Sequence, residues 1–119
     1  MKHVLLYLTA ANQEEAAELV EQLLLSRTVA CVNILGAIRS AYRWKGRIER
    51  TTEVAIIAKT RAALVREVVC AVKRMHSHEI PCILALPITG GNPAFLRWVD
   101  VETSRAPSRR PRMPARKRK

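Results

Sequence analysis

The chain has 119 residues, 49% of them apolar, which suits one domain with a single core and leaves too little for two domains of ordinary size. Its formal charge of +11 is uneven: residues 105–119 hold eight Arg or Lys and no acid, whereas residues 1–104 hold 13 basic and 10 acidic groups. Five aromatic residues, three cysteines without a CxxC pair and no bilayer-length apolar run argue against a dedicated nucleic-acid domain, a disulfide or zinc-knuckle framework, and a membrane-spanning helix.

Val4 to Leu8 is a continuous apolar run, short enough for a strand buried on both faces. With Lys2 and the small residues Thr9, Ala10 and Ala11 it imitates a secretory signal. Cleavage there would remove a core strand, so retention in the cytoplasm is expected. Asn12 then offers a helix N-cap, with Glu15 three residues on in a capping-box position. Ala16, Leu19, Val20, Leu23 and Leu24 follow the i, i+3, i+4, i+7 rule and form one apolar stripe.

Val29 to Leu35 reads as a second buried strand, and Gly36 marks a bulge. Beyond it the pattern alternates, with Ile38, Ser40, Tyr42 and Trp44 on one face and Arg39, Ala41, Arg43 and Lys45 on the other. Lys45-Gly46 supplies a tight turn, and the chain returns through Ile48 to the β-rich EVAIIAK at 53–59. Thr60 is expected to cap a second helix striped by Leu64, Val65, Val68, Val69, Val72 and Met75.

A polar segment, HSHEIPC at 76–82, leads into a fourth strand, CILALPI at 82–88. Asn92 followed by Pro93 then opens a short helix carrying Phe95, Leu96, Trp98 and Val99. The tail from Arg105 has three prolines, one large apolar side chain and strong self-repulsion, and is expected to be disordered. It can meet an anionic partner nonspecifically or act only as a solubilising extension.

The order β-α-β-β-α-β plus a C-terminal helix predicts an α+β, ferredoxin-like domain over residues 1–104, with two helices on one face of an antiparallel sheet. The two hairpin arms, from about Val29 to Trp44 and from about Arg47 to Lys59, are far longer than the other strands. Ile38, Tyr42, Trp44 and Ile48 on the projecting part would leave apolar surface and open strand edges in water. These four residues are therefore expected to form an oligomer interface, the alternative being a hairpin folded back on its own sheet.

Residues 30–60, ACVNILGAIRSAYRWKGRIERTTEVAIIAKT, carry a Cys-containing strand, a Tyr-x-Trp before a Gly turn and a Glu…Lys-Thr return arm. Together with HSHEIPCILALPITGGNPAFLRWV, they resemble the CutA divalent-cation-tolerance family. The resemblance runs from about Val4 to Glu102. It implies a ferredoxin-like subunit assembled through its hairpins into a homotrimer, similar in plan to the PII signalling proteins. It also implies binding of copper or other divalent ions in metal homeostasis, without an enzymatic reaction. His76, Glu79 and Pro81 match the family's loop as they stand, whereas Ser77, His78 and Cys82 depart from its Pro, Tyr and Glu. Leu8 stands where some relatives carry a copper-binding Cys.

For 76–82 three readings stay open. His76, His78, Glu79 and Cys82 form a candidate metal site, since imidazole, carboxylate and thiolate suit copper or zinc, provided that the helix has ended by His76. Alternatively the donors are structural, with a histidine at a helix C-terminus and a cysteine as apolar filler. Thirdly, Cys31, Glu53, Lys59 and His76, at positions that match the resembled family, cluster as a ligand pocket at a subunit boundary. The alternative to a metal-homeostasis protein is a PII-like trimeric scaffold or signalling module that binds a small ligand or a partner protein.

Overall fold

A computed structural model describes residues 2–104; the basic tail lies outside the described residues. The elements are β1 (His3–Ala10), α1 (Gln13–Leu25), β2 (Cys31–Trp44), β3 (Arg47–Arg61), a 3-10 turn (Ala62–Leu64), α2 (Val65–Met75), β4 (Ile83–Pro87) and α3 (Pro93–Glu102). The strands pair antiparallel in the order β2-β3-β1-β4. This is the ferredoxin-like α+β plan that the order of elements predicts.

Alternation along β1 divides the sheet. Val4, Leu6, Leu8 and Ala10 point into the core, opposite Thr60, Ala58, Ile56 and Val54 of β3. Against them pack Leu19 and Leu23 of α1 and Val68 and Val72 of α2. The other face is open: Leu84 and Leu86, paired with Tyr7 and Leu5, are 58% and 46% exposed. β1 is thus fully covered on one face and only partly on the other, although its unbroken apolar run predicts burial on both. Leu5 and Tyr7 lie on this second face and are half-buried.

α1 begins as its sequence predicts, with Asn12 Oδ1 accepting from the Glu15 N–H at 2.8 Å. The Glu15 carboxylate accepts from the Ala11 N–H, one residue before the expected capping-box partner. β2 starts at Cys31, two residues later than the apolar run implies. Its register shifts between Ile34 and Gly36, where Gly36 takes φ 111°, a value that side chains with a Cβ rarely adopt. Lys45 and Gly46, with φ 50° and 79°, make the hairpin turn that the right-handed strand twist favours.

Thr60 differs from expectation. It remains in β3, fully buried, and its hydroxyl donates to the Thr28 carbonyl at 2.6 Å, tying the α1–β2 connection to the sheet. The second helix instead starts through the 3-10 turn, without a side-chain cap. At the other end of the chain, α3 is held by ionic and polar clasps. Asp100 accepts from His3 at 2.8 Å and pairs with Lys2 at 3.1 Å. Arg61 donates to the Thr103 hydroxyl at 2.8 Å and to its carbonyl at 3.0 Å, and Arg27 donates to the Glu102 carbonyl at 3.2 Å. These two guanidiniums supply the donors that the last carbonyls of a helix lack.

β2 and β3, with 14 and 15 residues, outrun β1 and β4, with 8 and 5. The β1 register ends at Ala10 opposite Val54, so the stretch from Ile38–Glu53 to Trp44–Arg47 is a two-stranded ribbon, about 20 Å long at the usual rise. It projects from the globule, as the arm lengths predict. One detail of the sequence reading changes. Ile48 pairs with Arg43, so it lies on the face opposite to that of Ile38, Tyr42 and Trp44.

A cleft between the ribbon and the 76–82 loop

α2 ends at Met75, and its C-cap His76 is extended, with φ −74° and ψ 143°. This meets the geometric condition for His76 and His78 to lie close, and their rings sit 4.8 Å apart. The pair is not equivalent, however. His76 is buried; its Nε2 donates to the Thr9 carbonyl at 2.7 Å, and its Nδ1 accepts from the His78 N–H at 3.0 Å. These partners select the Nε2–H tautomer and occupy both ring nitrogens. Ligation of a metal by His76 would therefore require it to give up the His78 bond.

Glu15 fastens the same loop from α1. One carboxylate oxygen accepts from Ser77 N–H at 3.0 Å, and the other, besides its Ala11 bond, lies 3.4 Å from His76 Nε2. Burial acts to raise the Glu15 pKa, but the hydrogen bonds from Ser77 and Ala11 and the nearby His76 outweigh it and hold the carboxyl below its ordinary range.

Fixed in this way, the loop forms one wall of a cleft of about 730 Å³ whose other wall is the ribbon, from Glu53 at its root to Tyr42 and Trp44 near its tip. Glu53, His78, Glu79 and Cys82 bring ionisable groups to it, and Tyr42 and Trp44 bring aromatic rings. Glu53 is 8% exposed, and its carboxylate lies 3.9 Å from His78 Nδ1. Burial, aided by the Glu53 charge, pushes the Cys82 thiol pKa up, while a hydrogen bond with Thr9 acts the other way. Among the described residues, no three His, Cys, Asp or Glu side chains stand grouped so as to hold a metal ion.

The expected residues are thus partly brought together. Of the metal candidates, His78, Glu79 and Cys82 line the cleft, and His76 braces the loop behind them. Of the pocket candidates, Glu53 joins this cleft. Cys31 and Lys59 pair with each other six residues further along β3, about 20 Å away, where Lys59 Nζ lies 3.9 Å from Cys31 Sγ and donates to Asn33. Of the interface candidates, Tyr42 and Trp44 also line the cleft. Thr9 and Tyr7 were not singled out by the sequence. Alternation along β1 puts both on its second face, and only the position of the loop makes that face part of a site.

Fold and cleft together define a ferredoxin-like protein with a projecting hairpin and a polar, aromatic-lined groove along it. Comparison with known proteins gives the family. Residues 4–102 match the family described as CutA1 divalent ion tolerance protein. The chain is 46% identical over 98 residues to the Divalent-cation tolerance protein CutA of Archaeoglobus fulgidus, covering 82% of this chain and 95% of that protein. It is 37% identical over 97 residues to mouse Protein CutA, covering 82% of this chain but 55% of the relative. Among solved structures, the Archaeoglobus fulgidus protein, described as periplasmic, superposes with a TM-score of 0.83 at 44% identity, covering 86% of this chain and 99% of that one. CutA1 from Oryza sativa superposes at 0.84 with 33% identity, covering 89% and 97%. The chain belongs to the CutA1 divalent-ion-tolerance family.

Proposed function

We propose that this protein acts in divalent-cation tolerance as a homotrimer that binds copper or another divalent ion, such as zinc, at the cleft between ribbon and loop. The role is one of binding and not of catalysis. The observation that carries this reading is the gathering of His78, Glu79, Cys82 and the buried carboxylate of Glu53 around one cleft, in a chain of this family. Nitrogen, sulfur and oxygen donors in one place suit copper and zinc. Because no three of them stand grouped as ligands, two protein donors with water complete the site, and the affinity is weak to moderate.

Assembly is supported by the ribbon, which projects with Ile38, Tyr42 and Trp44 on one face, and by the open sheet face with Leu84 and Leu86 exposed. Sister copies bury both. A cytoplasmic location is supported by β1: the segment that imitates a signal peptide is paired on both sides at the centre of the sheet. Among the described residues no helix is long and apolar enough to cross a membrane.

Calorimetric titration with Cu²⁺ and with Zn²⁺ tests the site. A His78→Ala/Cys82→Ser variant is expected to lose most of the binding with its oligomeric mass unchanged. Equal affinity in the variant and the parent would exclude the cleft. A monomer at micromolar concentration would exclude the assembly.

A further inference from the structure

Alternation along the ribbon sorts its charges unevenly, with Arg47, the partner of Trp44, the one ribbon arginine on the acid-bearing face. The register Arg39–Thr52, Ala41–Arg50, Arg43–Ile48 puts three arginines on the face continuous with the helix side of the sheet. Both acids of the ribbon, Glu49 and Glu53, fall on the opposite face with Tyr42 and Trp44. All three guanidinium-bearing residues are exposed, and among the described residues none of them forms a salt bridge. Arg50 stands diagonally between Arg39 and Arg43, with separations of about 7–8 Å on each side. Like charges so placed across a strand pair repel, a cost that a bound anion removes. The small side chains of Ala41 and Thr52 floor a groove of about 560 Å³ between Arg39 and Arg50, where the Thr52 hydroxyl offers a further donor.

We propose that this arginine face binds the phosphate backbone of a nucleic acid without reading its sequence. A zigzag of three arginines matches a chain of successive phosphates better than it matches a single small anion. A two-stranded ribbon is also narrow enough to enter the major groove of a duplex. The face carries one exposed large apolar residue, Ile48, too little to anchor it in a membrane. The face lies opposite Ile38, Tyr42 and Trp44, so packing of that apolar side against sister copies leaves the arginines in solvent. The eight basic residues of 105–119 add to the same electrostatic attraction.

The test uses the full chain and a short DNA duplex of mixed sequence, with anisotropy measured across a salt series and solution mass measured in parallel. The parent is expected to bind with an affinity that falls steeply with salt. An Arg39→Gln/Arg43→Gln/Arg50→Gln variant of unchanged mass should bind more weakly, with the salt slope reduced by about three, roughly one per arginine removed. A variant lacking 105–119 should keep a residual affinity that the three substitutions then abolish. The proposal is overturned if the triple variant matches the parent in affinity and slope, or if all binding disappears with the tail alone. It is equally overturned if weaker binding accompanies loss of the assembly, or if anionic vesicles are bound through these arginines while the duplex is not.

Discussion

His76 donates from Nε2 to the carbonyl of Thr9 at 2.7 Å, so a residue at the end of α2 is tied to the last turnward stretch of the central strand. Through His78 N–H and Glu15, the same imidazole joins strand, helix and loop at one point. The cleft wall stands on that junction.

Replacing His76 by Ala leaves the Thr9 carbonyl and the His78 amide without their partner. The expected cost is about 1–3 kcal/mol, read from the urea midpoint at an unchanged slope. A variant as stable as the parent would show that the junction is decorative.

Acid should loosen the same junction. The Glu15 carboxyl is held below its ordinary value in the folded protein, so it contributes stability that is present above its unfolded pKa, about 4.3, and is lost as pH falls through the lower folded value. Asp100 follows the same sign: burial raises its pKa, but hydrogen bonds and charges from Lys2 and His3 outweigh it and leave it lowered. Urea midpoints measured from neutral pH downward should therefore decline in the acid range, and Glu15→Gln should flatten part of that decline. An acid limb unchanged by Glu15→Gln would remove Glu15 from the account.

Gly36 tests the bulge. An added Cβ would meet nothing within 4 Å, so the cost of Gly36→Ala is conformational alone and comes from φ 111°. About 1–2 kcal/mol of destabilisation is expected in the urea midpoint. Stability equal to the parent's would mean that the strand slips to a register without the bulge.

Cys82 reports on the cleft charge. Burial and then the Glu53 carboxylate raise its thiol pKa, so Glu53→Gln should lower it and speed alkylation of Cys82 by iodoacetamide at neutral pH, measured with Cys31 and Cys70 changed to Ser. Equal rates would place the carboxylate's influence elsewhere.

Leu6 sits at the centre of the core with no exposure. Leu6→Ala is expected to cost about 2–5 kcal/mol by calorimetry or denaturant melt, more than either the His76 or the Gly36 change.

Much of this was legible in the chain itself, because the periods of strand and helix are local. The stripe of Ala16, Leu19 and Leu23, though not its expected member Leu24, which is exposed, the Asn12 and Asn92 caps, the Lys45-Gly46 turn and the excess length of the hairpin each follow from residues close in sequence, whose backbone preferences need no distant partner. What the local pattern could not supply was the partner across space. Thr60 has the side chain of a helix cap, yet the strand carries it on to meet Thr28. Ile48 looks like one more apolar residue of the ribbon until the register places it beside Arg43, on the opposite face to Trp44. His76 and His78 are two positions apart, and only the packing of α1 and β1 against their loop buries one and leaves the other at the cleft. The order of elements thus belongs to the sequence alone; which face each side chain presents to the site was decided by register and by long-range hydrogen bonds, which no local period encodes.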